Sequence, residues 1–149
     1  MYGVNLSMYK ENEVLGAAPE KLVLMLYEGA INFLKRLDDM DYSKNIETKG
    51  YNINKAYDIL SSLSDSLDMR YKDISDPLRS LYTYMQKLLV QANIENDTTK
   101  VAQVIKMITE LKDSWQQAMG KVAIEKVSAQ TEAFSDPDQL EQSSFSMVG

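Results

Sequence analysis

The stretch Pro19 to Leu34, PEKLVLMLYEGAINFL, carries more apolar surface than one helix face can use. Wound at 100° per residue, Leu22, Leu26, Gly29 and Phe33 make one face. Val23, Tyr27, Ala30, Leu34 and Leu37 make a second face beside it, and Leu24 and Ile31 widen the apolar surface further. Lys21, Glu28, Asn32, Lys35 and Arg36 are left as a narrow polar strip. A helix seated on a single core needs an apolar arc only a little over ~100° wide. This segment has close to twice that, so more of the same protein or a partner must cover the excess.

Three more amphipathic stretches follow. Ile46, Gly50, Ile53, Ala56, Tyr57, Leu60, Leu63 and Leu67 recur three or four apart, with Tyr51 and Ile59 off the stripe. Asp76 and Pro77 read as the cap and first position of a third helix, Pro77 to Ile94. That helix aligns Leu78, Leu81, Tyr82, Met85, Leu88, Leu89 and Ala92, leaving Tyr84 and Val90 elsewhere. Asp97 or Thr98 caps a fourth helix that runs to about Val127. Its stripe holds Val101, Val104, Ile105, Ile108, Leu111, Trp115, Ala118, Met119 and Val122. Isolated Gly29 and Gly50 inside helices mark close packing. No segment reads as a strand. The expected fold is all-α, an antiparallel four-helix bundle over residues 19–127. An N-terminal arm, residues 1–18, precedes it. The Ser, Gln and Asp-rich residues 128–149 follow as an acidic, mobile tail.

Composition narrows the chemistry. There is no Cys and no His, which removes thiol catalysis, thiolate or imidazole metal sites and the commonest general base. A di-metal carboxylate bundle needs Glu-x-x-His pairs, and a helical phosphotransfer domain needs an exposed His. Gly-rich phosphate loops are absent, and Ser61, Ser62 and Ser64 have no base to activate them. Acidic runs such as Asp38-Asp39-Asp41 suit loop solvation better than metal binding. No catalytic residue, cofactor or metal is expected. Net charge is −6, against a nucleic-acid or anionic-membrane binder. Glu132, Asp136, Asp138 and Glu141, with no Lys or Arg from Ser128 onward, carry −4 of it. No stretch reads as a signal peptide or membrane span, so a cytoplasmic protein is expected. A bundle with surplus apolar helix surface suits a binding module, with Tyr and Met available to line its groove.

The order of motifs sharpens this reading. Tyr9-Lys10-Glu11-Asn12-Glu13-Val14-Leu15 is followed by Ala18-Pro19-Glu20-Lys21-Leu22-Val23-Leu24-Met25-Leu26-Tyr27-Glu28-Gly29-Ala30. Leu81-Tyr82-Thr83-Tyr84-Met85, Leu88-Leu89-Val90-Gln91-Ala92-Asn93 and Glu110-Leu111-Lys112-Asp113-Ser114-Trp115 come later in the chain. Together they resemble the FliS family, flagellin-specific export chaperones of bacteria, over about Tyr9 to Met119. Ala18 departs from the Ser usual before the proline, and the tail is longer than expected for the family. The resemblance implies a cytoplasmic helical bundle that binds the C-terminal segment of unassembled flagellin. It implies that binding prevents premature polymerisation and that flagellin is then presented to the export gate of the flagellar secretion apparatus. The alternative is a helical adaptor for another flagellar regulatory protein.

On the first helix, Leu22, Leu26 and Phe33 are assigned to the core. Leu24, Tyr27 and Ile31 sit roughly 120–180° from that face. The residues expected to touch flagellin are therefore Leu24, Tyr27, Ile31, Ile59 and Tyr84, with Tyr9 from the arm. Ile31→Ala is expected to cost little stability, unlike Leu26→Ala.

Overall fold

In the computed structural model, residues 19–121 are described in full and residues 122–134 by their backbone. The N-terminal arm with Tyr9, and the tail from residue 135, lie outside the described residues. Every regular element among the described residues is helical: α1 (Pro19–Lys35), α2 (Ile46–Asp65), α3 (Lys72–Glu95) and α4 (Thr98–Phe134). The chain divides into two compact units, the first ending at Lys112 and the second beginning at Asp113. The first unit holds α1, α2, α3 and the first part of α4 of the four-helix bundle, and in it α1 packs on α2 and α2 on α3.

Local chemistry sets the boundaries. After α1 the chain tightens into i→i−3 bonds, Leu37 N–H to Leu34 O at 3.1 Å and Asp38 N–H to Lys35 O at 3.1 Å. Asp39 then turns it in the left-handed region, with φ 60°. Asp41 organises the next turn, its carboxylate accepting the Ser43 N–H at 3.0 Å. α3 begins at Lys72, five residues before the expected Pro77, and Asp76 is not its cap. The earlier turn forms because the Tyr71 carbonyl accepts the Ile74 and Ser75 N–H groups at 3.0 and 2.9 Å. Buried Ser75 also donates its hydroxyl to the Asp68 carbonyl at 2.6 Å, tying the turn to the preceding loop. Pro77 thus sits inside the helix near its start, where the missing N–H deprives only the Asp73 carbonyl.

α3 ends at left-handed Asn96, φ 55°, with Ala92 O accepting the Asn96 and Asp97 N–H groups. Of the two expected caps, Asp97 rather than Thr98 caps α4, its carboxylate accepting the Thr99 N–H at 3.0 Å. α4 then runs 37 residues, seven past the Val127 at which its apolar pattern fades.

The core draws on all four helices: Leu22, Leu26, Ala30 and Leu34 from α1, Ile53, Ala56, Leu60 and Leu63 from α2, Tyr82, Met85, Leu89 and Ala92 from α3, and Val101, Val104 and Ile108 from α4. One buried cation joins it. Lys49, 4% exposed, donates Nζ–H bonds to Asn93 O at 2.8 Å and Asn96 Oδ1 at 2.6 Å. An ammonium against the last carbonyls of α3 also sits at the negative end of that helix dipole. Among the described residues no helix is long and apolar enough to cross a membrane, and no group of acidic residues could hold a metal ion.

Candidate interaction surface

The wide apolar arc of α1 is spent inside the bundle. Leu22, Leu26, Tyr27, Ala30, Ile31, Leu34 and Leu37 are all buried. They span about 180° of the helix, centred near Ala30. The core face is therefore rotated towards the second of the two apolar faces, and Phe33, expected in the core, is half-buried at its edge. Tyr27, Ile31 and Ile59, expected at the surface, are 2%, 6% and 3% exposed. The physical reason is two-sided packing of α1. Ile59 is held by α1: a Cβ built on Gly29 would lie 3.4 Å from Ile59 Cδ1. Tyr27 reaches across to α3, its hydroxyl 2.6 Å from that of Tyr82. Burial pushes both phenols above their ordinary range. Gly50, also expected to mark close packing, meets nothing within 4 Å of a built Cβ.

Of the other expected residues, Leu24 is half-buried and Tyr84 is 46% exposed, with its hydroxyl 3.5 Å from Gln103 Nε2. Tyr9 lies outside the described residues.

The exposed apolar surface that does exist lies mainly on α2 and α3. Ile46 and Tyr57 on α2 and Val90 and Ile94 on α3 are all exposed. Gln86 ties the two helices at one level, donating from Nε2 to Tyr57 O at 3.2 Å and Ser61 Oγ at 2.7 Å. Lys49 ties them at another through Asn93 and Asn96. Gly50 lies on α2 between those two levels, so this stretch of backbone is open to approach. On the other side of α2, Phe33 and Tyr51 meet edge to face, centroids 6.5 Å apart and planes at 71°. Sequence periodicity already set Tyr51 and Val90 off their stripes. Ile46 and Tyr57 lay on the stripe and gave no such signal.

In the turns between the helices several charges are locally paired. The Arg70 guanidinium holds the Asp68 carboxyl down to about 2. Asp41 and Asp97 are lowered by the hydroxyls of Ser43 and Thr99. Buried Tyr42 is pushed up by desolvation, with Asp38 and Asp97 adding to it. No arrangement of nucleophile, base and oxyanion donor occurs among these residues. What they offer is amphipathic contact area.

Residues 3–122 match the family model described as Flagellar protein FliS. The chain is 37% identical to the flagellar secretion chaperone FliS of Bacillus subtilis over 111 residues, covering 74% of this chain and 83% of that protein. It is 33% identical to the protein of the same name from Escherichia coli over 111 residues, with 73% and 82% covered. The Vibrio cholerae protein of that name is 37% identical over 108 residues, with 72% and 79% covered. The motifs on α1, α3 and α4, the four-helix bundle and these matches converge: the chain belongs to the FliS family.

Proposed function

We propose that this chain is a cytoplasmic flagellar secretion chaperone whose client is unassembled flagellin. It binds the C-terminal segment of flagellin, keeps it from polymerising, and delivers it to the export gate of the flagellar secretion apparatus. It acts by binding alone, with no turnover and no cofactor. The match to the FliS model over residues 3–122 carries this reading. The exposed apolar side chains on helices support it, because an amphipathic helical segment needs apolar anchors spaced along a groove.

Leu24 and Tyr84, with Tyr9, contact the client in this reading. Exposed Tyr57, Val90 and Ile94, and Tyr51 on the other side of α2, add further apolar contacts. Buried Tyr27, Ile31 and Ile59 support it from beneath.

The direct test is capture by the tagged protein from its own flagellated cells, with partners identified by mass. Flagellin as the main stoichiometric partner is expected. A regulatory protein in its place would favour the adaptor reading.

A further inference from the structure

The outer seam of α1 and α2 carries an array of four side chains. Arg36 Cζ lies 4.6 Å from the centroid of the Phe33 ring. Phe33 meets Tyr51 edge to face. Lys55 Nζ lies 5.4 Å from the centroid of the Tyr51 ring. Two cations therefore bracket two rings that bridge neighbouring helices.

Arg36 differs from Lys55, the other cation of the array. Lys55 has a further partner within the protein. Arg36 has no carboxylate partner among the described residues. A guanidinium stacked on a ring gives up little of its hydration and keeps its planar edge of donors outward. Such an edge fits a carboxylate through two parallel charge-assisted bonds. Contact with the ring at 4.6 Å restrains the guanidinium before a ligand arrives, which lowers the ordering cost of binding. Beside it, Tyr51 is 54% exposed, an amphipathic ring open to an apolar side chain. Paired this way, the array asks for one partner chemistry: an acidic residue next to an apolar one, on a single segment.

We propose that the Arg36–Phe33–Tyr51–Lys55 array is a docking surface for a carboxylate-bearing segment of the client, with Arg36 gripping the carboxylate and Tyr51 covering the adjoining apolar side chain. The inference rests on the chaperone reading above, and adds an electrostatic anchor to a surface otherwise argued from apolar contact.

The test is titration of full-length monomeric flagellin by calorimetry, at low and at high sodium chloride, with the parent and three variants. Arg36→Gln is expected to weaken binding about tenfold at low salt and to flatten the salt dependence. Arg36→Lys is expected to fall between the two, because it keeps the charge and loses the fork. Tyr51→Ala is expected to weaken binding while leaving the salt dependence in place. Melting curves of the variants should match the parent, since Arg36 and Tyr51 are exposed. Parent-like affinity and salt slope in Arg36→Gln would overturn the inference while leaving the chaperone reading intact. Absence of flagellin binding by the parent itself would overturn both.

Discussion

Lys49 offers the sharpest test of how the bundle is closed. Replacing it with Met keeps most of the side-chain volume and removes the ammonium. Two charge-assisted bonds disappear, at 2.8 Å to Asn93 O and 2.6 Å to Asn96 Oδ1. Each such bond contributes roughly 1.5–3 kcal/mol, and the α3 dipole adds a few tenths to about 1 kcal/mol. Against this, Met has no ammonium to desolvate, which returns several kcal/mol. The two acceptors are left to find water at a partly buried site. The net expected loss is about 2 kcal/mol, or ~4–8 °C in melting temperature for a chain of this size. Asn96→Gly sharpens the test. At a left-handed position Gly is normally neutral or favourable, but here it deletes a Lys49 acceptor. Alone it should destabilise by about 1 kcal/mol, and in the Lys49→Met background it should cost nothing. Chemical denaturation of the four proteins gives the coupling energy directly. If Lys49→Met melts with the parent, or the two substitutions simply add, the clamp does not hold the α3–α4 turn as described.

Three further outcomes follow from the packing. Ile31→Ala and Leu26→Ala should both lower stability by roughly 2–4 kcal/mol, since both side chains are buried; a melting curve that separates them widely would return Ile31 to the surface. Gly50→Ala should raise stability by about 0.5–1 kcal/mol, because the helix gains propensity and the new methyl meets nothing within 4 Å; a lower melting temperature would mean that the site is occupied. Tyr27 and Tyr82 are pushed above the ordinary value of 10.0, chiefly by burial, and their protonated forms are favoured by folding. The stability they contribute is thus complete below pH 10 and lost as pH rises through the folded values; alkaline unfolding followed by circular dichroism should be shallower in a Tyr27→Phe, Tyr82→Phe double variant, and an unchanged profile would contradict the pairing.

The sequence carried the helices and much of the core. Local patterns place all four elements, because three-or-four spacing reports directly on a buried stripe. Asp97-Thr98 announces the start of α4, because an N-cap acts within its own turn. The start of α3 was hidden because Asp76-Pro77 looks like a helix opening by itself. The competing turn depends on Ser75 reaching back seven residues to Asp68. The orientation of α1 was hidden for a related reason. Two adjacent apolar faces look alike in sequence, and only the neighbours decide which faces inward. Tyr27 reads as a surface aromatic because it lies far round the helix from Leu22, Leu26 and Phe33, and what lets it turn inward is a buried partner for its hydroxyl. That partner, Tyr82, lies 55 residues away. Lys49 reads as a surface lysine for the same reason, its acceptors being 44 and 47 residues distant. The exposed apolar surface of α2 and α3 is legible only in part. Tyr51 and Val90 stand off their stripes, whereas Ile46 and Tyr57 join the stripe and yet remain exposed at its edge.

The most direct measurement is calorimetric titration of the full chain with intact flagellin and with flagellin lacking its C-terminal segment. A one-to-one complex with intact flagellin and no measurable binding to the truncated form is the predicted result, with the chaperone's melting temperature rising as flagellin concentration increases. Equal affinity for both forms would contradict recognition of the C-terminal segment.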